Sequence, residues 1–172
     1  MIRIPGQTVT LRPIRPDELE VVATGLAGDG SGVRLSPARL RRRIERSGRF
    51  WGGRLDLGIE AEGRLVGDVE ARSPAGSLPP GVYEIGLALF DPADRGKGYG
   101  LEATRLIVDH LFDAEEAARV QASTAEWNTA MRRVLERLGF REEGVLRGFF
   151  PTAEGRDDYV MYALTRADWL DG

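Results

Sequence analysis

Three glycines at alternate positions, Gly96, Gly98 and Gly100, surround the only lysine of the chain, Lys97. They close a polar turn, residues 91–100, that follows the strongly apolar run 82–90. Beyond it, apolar residues at 103, 106, 107 and 111 repeat with helical spacing. The order predicts an interior strand, a glycine-rich turn and a helix. Such a turn aims several backbone N–H groups at one spot, and the helix dipole adds roughly half a positive charge there. That chemistry suits a phosphate or pyrophosphate; glycines used only for a tight turn are the other reading. The spacing is not G-x-G-x-x-G. Gly-Lys-Ser/Thr is absent too, because Lys97 is followed by Gly98.

Composition excludes much other chemistry. The 172 residues contain no Cys, so disulfides, thiolate nucleophiles, iron–sulfur clusters and Cys-ligated zinc are out. One histidine, His110, leaves no multi-His metal site. It lies within the helix after the turn, where packing or exposure accounts for it. The net charge of −3 argues against a general nucleic-acid surface. The N-terminus has no apolar leader and no run approaches membrane-spanning length, so a cytoplasmic location is expected. The chemistry is left to carboxylates, hydroxyls, arginine, Lys97, backbone amides or a borrowed cofactor.

The elements that must position these groups read as follows. Residues 9–14 form a strand ended by Pro13 and Pro16. An amphipathic segment runs from Asp17 to about Leu26, and residues 27–32 are a flexible break. Ser36-Pro37 is an N-cap with proline at the first helical position, opening a helix to about Ser47. Residues 54–61 and 64–71 are strands joined by Glu62-Gly63. After the turn and its helix come a strand at 119–124 and a helix at 128–138 closed by Gly139. Residues 140–150 and 156–164 make a final hairpin, and Thr165 to Asp168 has capping-box spacing for one last helical turn. Hairpins at both ends break the β/α alternation, which implies one domain over residues 1–172 with a mixed sheet flanked by helices.

Arg95-Gly96-Lys97-Gly98-Tyr99-Gly100 matches the R/Q-x-x-G-x-G/A signature of the GNAT acyltransferases. Residues 9–13 are similar to that family's first strand, and residues 128–140 to its later helix. Glu143 to Arg147, with Gly155 and Asp158, resemble the closing hairpin of the ribosomal-protein-alanine acetyltransferase (RimJ/RimL-like) branch. The resemblance implies the GNAT fold, of α+β (mixed α/β) class. Its mostly antiparallel central sheet of about seven strands is flanked by four helices. It implies acetyl-CoA as donor, with the pyrophosphate held by the amides of Arg95, Gly96, Lys97, Gly98, Tyr99 and Gly100. Leu87, Ala88, Leu89 and Phe90 hold the pantetheine arm and thioester, with the Leu89 amide polarising the carbonyl. The implied reaction is direct acetyl transfer to a primary amine of a small molecule or a protein N-terminus, by a monomer or homodimer, without nucleic acid or membrane. A longer acyl-CoA donor and a non-catalytic acyl-CoA-binding module are the alternatives.

Acyl transfer to an amine needs a base, and Glu84 is the candidate. On a strand, residues 84, 86 and 88 share one face, so a carboxylate at 84 reaches a proton directly or through water. A strand Glu without a role is the competing reading. Asn128 matches the family asparagine before the later helix, either as N-cap alone or also as a CoA ligand. The residues at which the family carries a proton donor are Met131 and Leu135 here, and Tyr159, Tyr162 and Thr129 are the remaining hydroxyls. Residues 34–54 hold eight arginines against the single acid Glu45. From the family resemblance they line one wall of the acceptor cleft, with Arg34, Arg49 and Trp51 as substrate contacts favouring an acidic acceptor. A solvated helix face and contacts to the CoA 3′-phosphate are the other two readings.

Overall fold

The structure, a computed structural model, describes residues 1–27, 35–73 and 78–172. Among these residues the chain builds one eight-stranded sheet in the order β1-β2-β3-β4-β5-β6-β8-β7. The strands are β1 (Ile4–Pro5), β2 (Val9–Arg12), β3 (Arg54–Ala61), β4 (Arg64–Arg72), β5 (Val82–Leu89), β6 (Arg119–Ala125), β7 (Arg141–Thr152) and β8 (Gly155–Thr165). Five α-helices accompany them: α1 (Leu19–Ala27), α2 (Pro37–Arg46), α3 (Tyr99–Asp113), α4 (Thr129–Arg137) and α5 (Arg166–Asp171). The expected seven strands and four helices grow by one each. The added strand is the two-residue β1, too short to show a period, and the added helix is the capped turn after Thr165.

Every strand pair is antiparallel except β5 with β6. That one parallel pair needs a crossover, which α3 supplies. The larger apolar core lies between the sheet and α3 and α4, and includes Leu57, Val69, Ile85, Ile107, Phe112, Leu135 and Tyr162. A smaller core of Ile14, Val22, Leu40, Ile44 and Leu65 fills the space under α1 and α2. Period-two alternation thus sends Tyr83 and Ile85 of β5 toward α3, and Glu84, Gly86 and Ala88 to the face of α1 and α2.

Local chemistry fixes the helices. Ser36 caps α2, its Oγ accepting from the Arg39 amide at 3.4 Å. The Ser47 hydroxyl just after α2 accepts from the Ile14 amide at 2.7 Å and ties that end to the chain leaving β2. Glu102, in the first turn of α3, accepts from the amides of Gln7, Thr8 and Val9 and from the Thr8 hydroxyl. One carboxylate therefore clamps the β1–β2 turn onto the start of α3. Gly6 leaves room for it, since a Cβ there would come within 2.6 Å of Glu102 Oε1. Trp169 of α5 stacks on Phe112 with ring centroids 5.0 Å apart and donates to Asp109 at 2.9 Å.

Candidate active site

The parallel strands β5 and β6 pair only at Val82–Arg119, Tyr83–Val120 and Glu84–Gln121, and then part. Beyond Glu84, β5 remains paired to β4 as far as Leu89, and β6 to β8 as far as Ala125. The sheet is thus split by a wedge. At its open end the glycine-rich turn leaves β5, and the loop to α4 leaves β6.

The edge that β5 turns to this wedge follows from one bond. The Phe90 amide donates to Val66 O at 2.9 Å. Alternation then turns the amides of Gly86, Ala88 and Phe90 to β4, and those of Ile85, Leu87 and Leu89 to the open edge. The expectation of four donors from Leu87 to Phe90 therefore narrows to two, because the amides of Ala88 and Phe90 serve the sheet.

The turn itself is held from below. Pro92–Asp94 forms a 3-10 turn capped by Asp91, whose carboxylate accepts from the Ala93 amide at 2.8 Å. Asp94 is buried and accepts from both Nη atoms of Arg64, at 2.8 and 2.6 Å, and from Lys97 Nζ at 3.0 Å. The Arg64 hydrogen bonds hold the Asp94 carboxyl down at about 2. Gly96 and Gly98 have φ of +78° and +87°, a region side chains rarely adopt, and no atom lies within 4 Å of where either Cβ would be. Gly98 is the N-cap of α3 and provides no side-chain cap, so the first amides of α3 present themselves to an anion. Gly100 differs. It has helical conformation, and its Cβ would meet only Leu87 and Leu89 at 3.8 and 4.0 Å.

Glu84 lies at the closed end of the wedge. Its Oε1 pairs with Arg72 and its Oε2 accepts from Gln121 at 2.9 Å. It belongs to a chain of charges across the α1–α2 face. Arg43 of α2 bridges Asp56 and Asp68 at 2.7 and 2.5 Å, Arg54 pairs with Asp56 and Glu70, and Arg72 reaches both Glu70 and Glu84. Gln121 continues the chain to Arg119, which pairs with Glu143 at 2.6 Å. Asp68 sits directly across from Ala88, and burial pushes its carboxyl up to about 6 against the pull of Arg43. Sequence reasoning missed this network. The signal available was an acid within each of three successive apolar strands, Asp56 in β3, Asp68 and Glu70 two apart in β4, and Glu84 in β5.

Asn128 caps α4. Its Oδ1 accepts from the Met131 amide at 3.2 Å and its Nδ2 donates to Thr124 at 3.1 Å, so both ends of the side chain are engaged. Leu135 is fully buried in the core. Tyr162 is buried as well, its hydroxyl held by Arg132 at 3.0 Å and near Glu136 and Glu142, with burial raising its pKa.

The structure divides the arginine cluster. Arg43 and Arg54 are spent on internal carboxylates, and Arg34 lies outside the described residues. Arg46 and Arg49 lie over the exposed Trp51 ring, 4.8 and 5.8 Å from its centroid. Trp51 bridges to Arg54, which pairs with Arg72 opposite Glu84. Arg49 and Trp51 therefore meet each other beside the start of β3, two strands from β5 and level with the closed end of the wedge, and not at the glycine-rich turn. Leu89 lies five residues farther along β5, roughly 16 Å away.

The acetyltransferase (GNAT) domain family matches residues 8–141, and the chain belongs to it. Among curated relatives in Bacillus subtilis (strain 168), the "Probable N-acetyltransferase YjcK" is 32% identical over 138 residues. That match covers 80% of this chain and 73% of that protein. The "Uncharacterized N-acetyltransferase YnaD" is 31% identical over 88 residues, 51% of each chain, so the match spans about half of that relative's length. A solved structure titled RimL, ribosomal L7/L12 alpha-N-protein acetyltransferase in complex with coenzyme A, superposes with a TM-score of 0.78 at 17% identity. It covers 95% of this chain and 98% of that one, a likeness of fold. No helix among the described residues is long and apolar enough to cross a membrane.

Proposed function

We propose that this chain transfers the acetyl group of acetyl-CoA directly to a primary amine, of a small molecule or of a protein N-terminus, in the cytoplasm. The observation that carries the reading is the wedge. Its open β5 edge, with the amides of Leu87 and Leu89, runs straight into a turn whose left-handed glycines lead to an uncapped helix N-terminus. That arrangement offers an anion cradle for a pyrophosphate and, along the same edge, donors for an acyl carbonyl.

In this reading the Leu89 amide polarises the thioester carbonyl and the amine nitrogen attacks its carbon. The C–N bond forms and the C–S bond breaks. The proton leaving nitrogen passes to Glu84 along a chain of waters in the wedge, because the carboxylate lies at its closed end, five residues along β5 from Leu89. Arg72 and Gln121 hold that carboxylate in place. The thiolate, with a pKa near 8.5, leaves without a dedicated acid. The family's two proton-donor positions are Met131 and Leu135 here, and the Tyr162 hydroxyl is tied to Arg132.

The test is CoA-thiol release from acetyl-CoA over a panel of amines, beside a direct binding measurement. Glu84→Gln is expected to lower kcat about a hundredfold, with acetyl-CoA affinity unchanged. A pH–rate profile unaltered by that substitution removes Glu84 as the base. Failure to bind CoA at all overturns the assignment of the turn.

A further inference from the structure

We propose that Phe149, Phe150 and Tyr159 form the acceptor subsite, and that the preferred acceptor is a primary amine carrying an aromatic group. The proposal rests on the acetyl-transfer reading and names its acceptor class.

It begins at a bulge. The register of β7 against β8 shifts between Leu146 and Phe150. Gly148, at φ +57°, provides the left-handed residue of the bulge. Three hydrogen bonds hold it. Asp158 Oδ1 accepts from the Gly148 amide at 2.6 Å, Arg156 Nε donates to Gly148 O, and Arg156 Nη2 donates to Phe149 O at 2.8 Å. In a regular strand, consecutive residues point to opposite faces. Here both phenylalanines meet Tyr159, with ring centroids 5.4 and 5.3 Å away, and Phe150 stacks on it at 18°. None of the three rings belongs to either buried core, and Phe149 is 46% exposed. Rings of this size ordinarily carry core energetics. A trio kept outside the core by a pinned bulge is a contact surface.

Its place is set by register. Val160, Tyr162 and Leu164 point into the core under α3 and α4, so Tyr159 faces the α1–α2 side, as Glu84 does. Counted along the two strands from Glu84–Gln121, beyond which they part, Thr124 of β6 stands at the height of Leu87 of β5. Ala125, next along β6, is the register partner of Tyr159. The trio therefore begins one strand beyond β6, about 5 Å, at the level of the open amides of Leu87 and Leu89. Across the wedge, Phe90 lies against Gly25 of α1, and Val21 of α1 is exposed.

Charge fits the same occupant. Glu126, Trp127, Arg156, Asp157 and Asp158 line one hollow beside the trio. Arg156 gives its donors to the bulge carbonyls, and Asp157 accepts from Trp127 Nε1 at 2.8 Å. The carboxylates of that hollow, Glu126 just after β6 and Asp157 and Asp158 just before Tyr159 on β8, put negative charge beside an ammonium held on an aromatic body at the trio.

The experiment measures acetyl-CoA turnover with paired acceptors: a free arylalkylamine against an alkylamine of equal basicity, and two peptides differing only in an N-terminal Phe or Ala. Expected is a kcat/KM about tenfold higher for an aromatic acceptor than for its partner. Preference confined to the free amines or to the peptides identifies the source and supports the proposal. Phe149→Ala is expected to remove most of that preference through KM, with CoA affinity unchanged. Tyr159→Leu, which keeps apolar bulk, is expected to do the same. Equal kcat/KM across each pair overturns the aromatic subsite and leaves acetyl transfer standing. If no amine turns over, the acetyl-transfer reading fails on that result, and absence of arylalkylamine binding to the CoA-bound protein overturns the subsite separately. Absence of CoA binding overturns both.

Discussion

At Asp68, burial and ion pairing pull in opposite directions, and burial wins. Its folded carboxyl titrates at about 6 against an ordinary 3.8. The sign follows from proton counting. Between pH 4 and 6 the unfolded chain gives up this proton while the folded chain keeps it, so this group's contribution to stability falls as pH rises through that window. The size is on the order of 3 kcal/mol. Asp68→Asn is expected to flatten the wild-type slope over that window in urea melts at stepped pH, and an unchanged slope refutes the assignment. Arg43 keeps Asp56 in that variant, so no buried cation is stranded. The glycines of the turn make a second contrast. Gly96→Ala and Gly98→Ala force a Cβ into left-handed backbone, at about 1 kcal/mol each, and are expected to weaken CoA binding at least severalfold. Gly100→Ala meets only ordinary contacts and is expected to fold as the parent does. A calorimetric titration of the three variants separates them.

At the scale of elements, Glu102 joins two that the chain order keeps far apart. Its four acceptances from the β1–β2 turn hold α3 at the angle that aims its N-terminus at the wedge. Glu102→Ala is expected to cost about 3 kcal/mol and to weaken CoA binding beyond what a loss of stability explains. Intact affinity in a folded variant counts against this positioning role. Most elements were legible because their signals are local: Ser36-Pro37 opens α2, Glu62-Gly63 turns β3 into β4, and Gly139 ends α4. The bulge at Gly148 was not legible, since it depends on Arg156 and Asp158 from the neighbouring strand. Neither was the role of Glu102, which a sequence shows only as an acid in a first helical turn. The glycine-rich turn was legible in composition and order. The separation of Arg49 and Trp51 from it was not, because it follows from strand register.

Across the whole molecule, the sheet is two slabs, β1 to β5 and β6 to β8, joined by three residue pairs and by Gly81 O, which accepts from the amides of Ala118 and Arg119 at 2.8 and 3.1 Å. The split is a property of tertiary assembly: β5 reads in sequence as one continuous interior strand, with nothing to mark where its partner departs. Amide exchange followed residue by residue is expected to find Leu87 and Leu89 fast and Ala88 and Phe90 slow. Added CoA is expected to slow the first pair. Equal protection of all four in the free protein contradicts the open edge.

The ion pair between Lys97 and Asp94 has a consequence for chemical durability. A neutral amine that meets a thioester is acylated without any enzyme, and this chain carries its only lysine in the turn proposed to hold the pyrophosphate of a thioester donor. The hydrogen bond to Asp94 raises the Lys97 pKa and keeps its nitrogen protonated, hence non-nucleophilic. The carboxylate below the turn therefore lowers the share of Lys97 that is free to attack acetyl-CoA arriving from solution. Asp94→Asn is expected to accumulate acetyl groups on Lys97 during storage with acetyl-CoA, which intact-mass measurement would count.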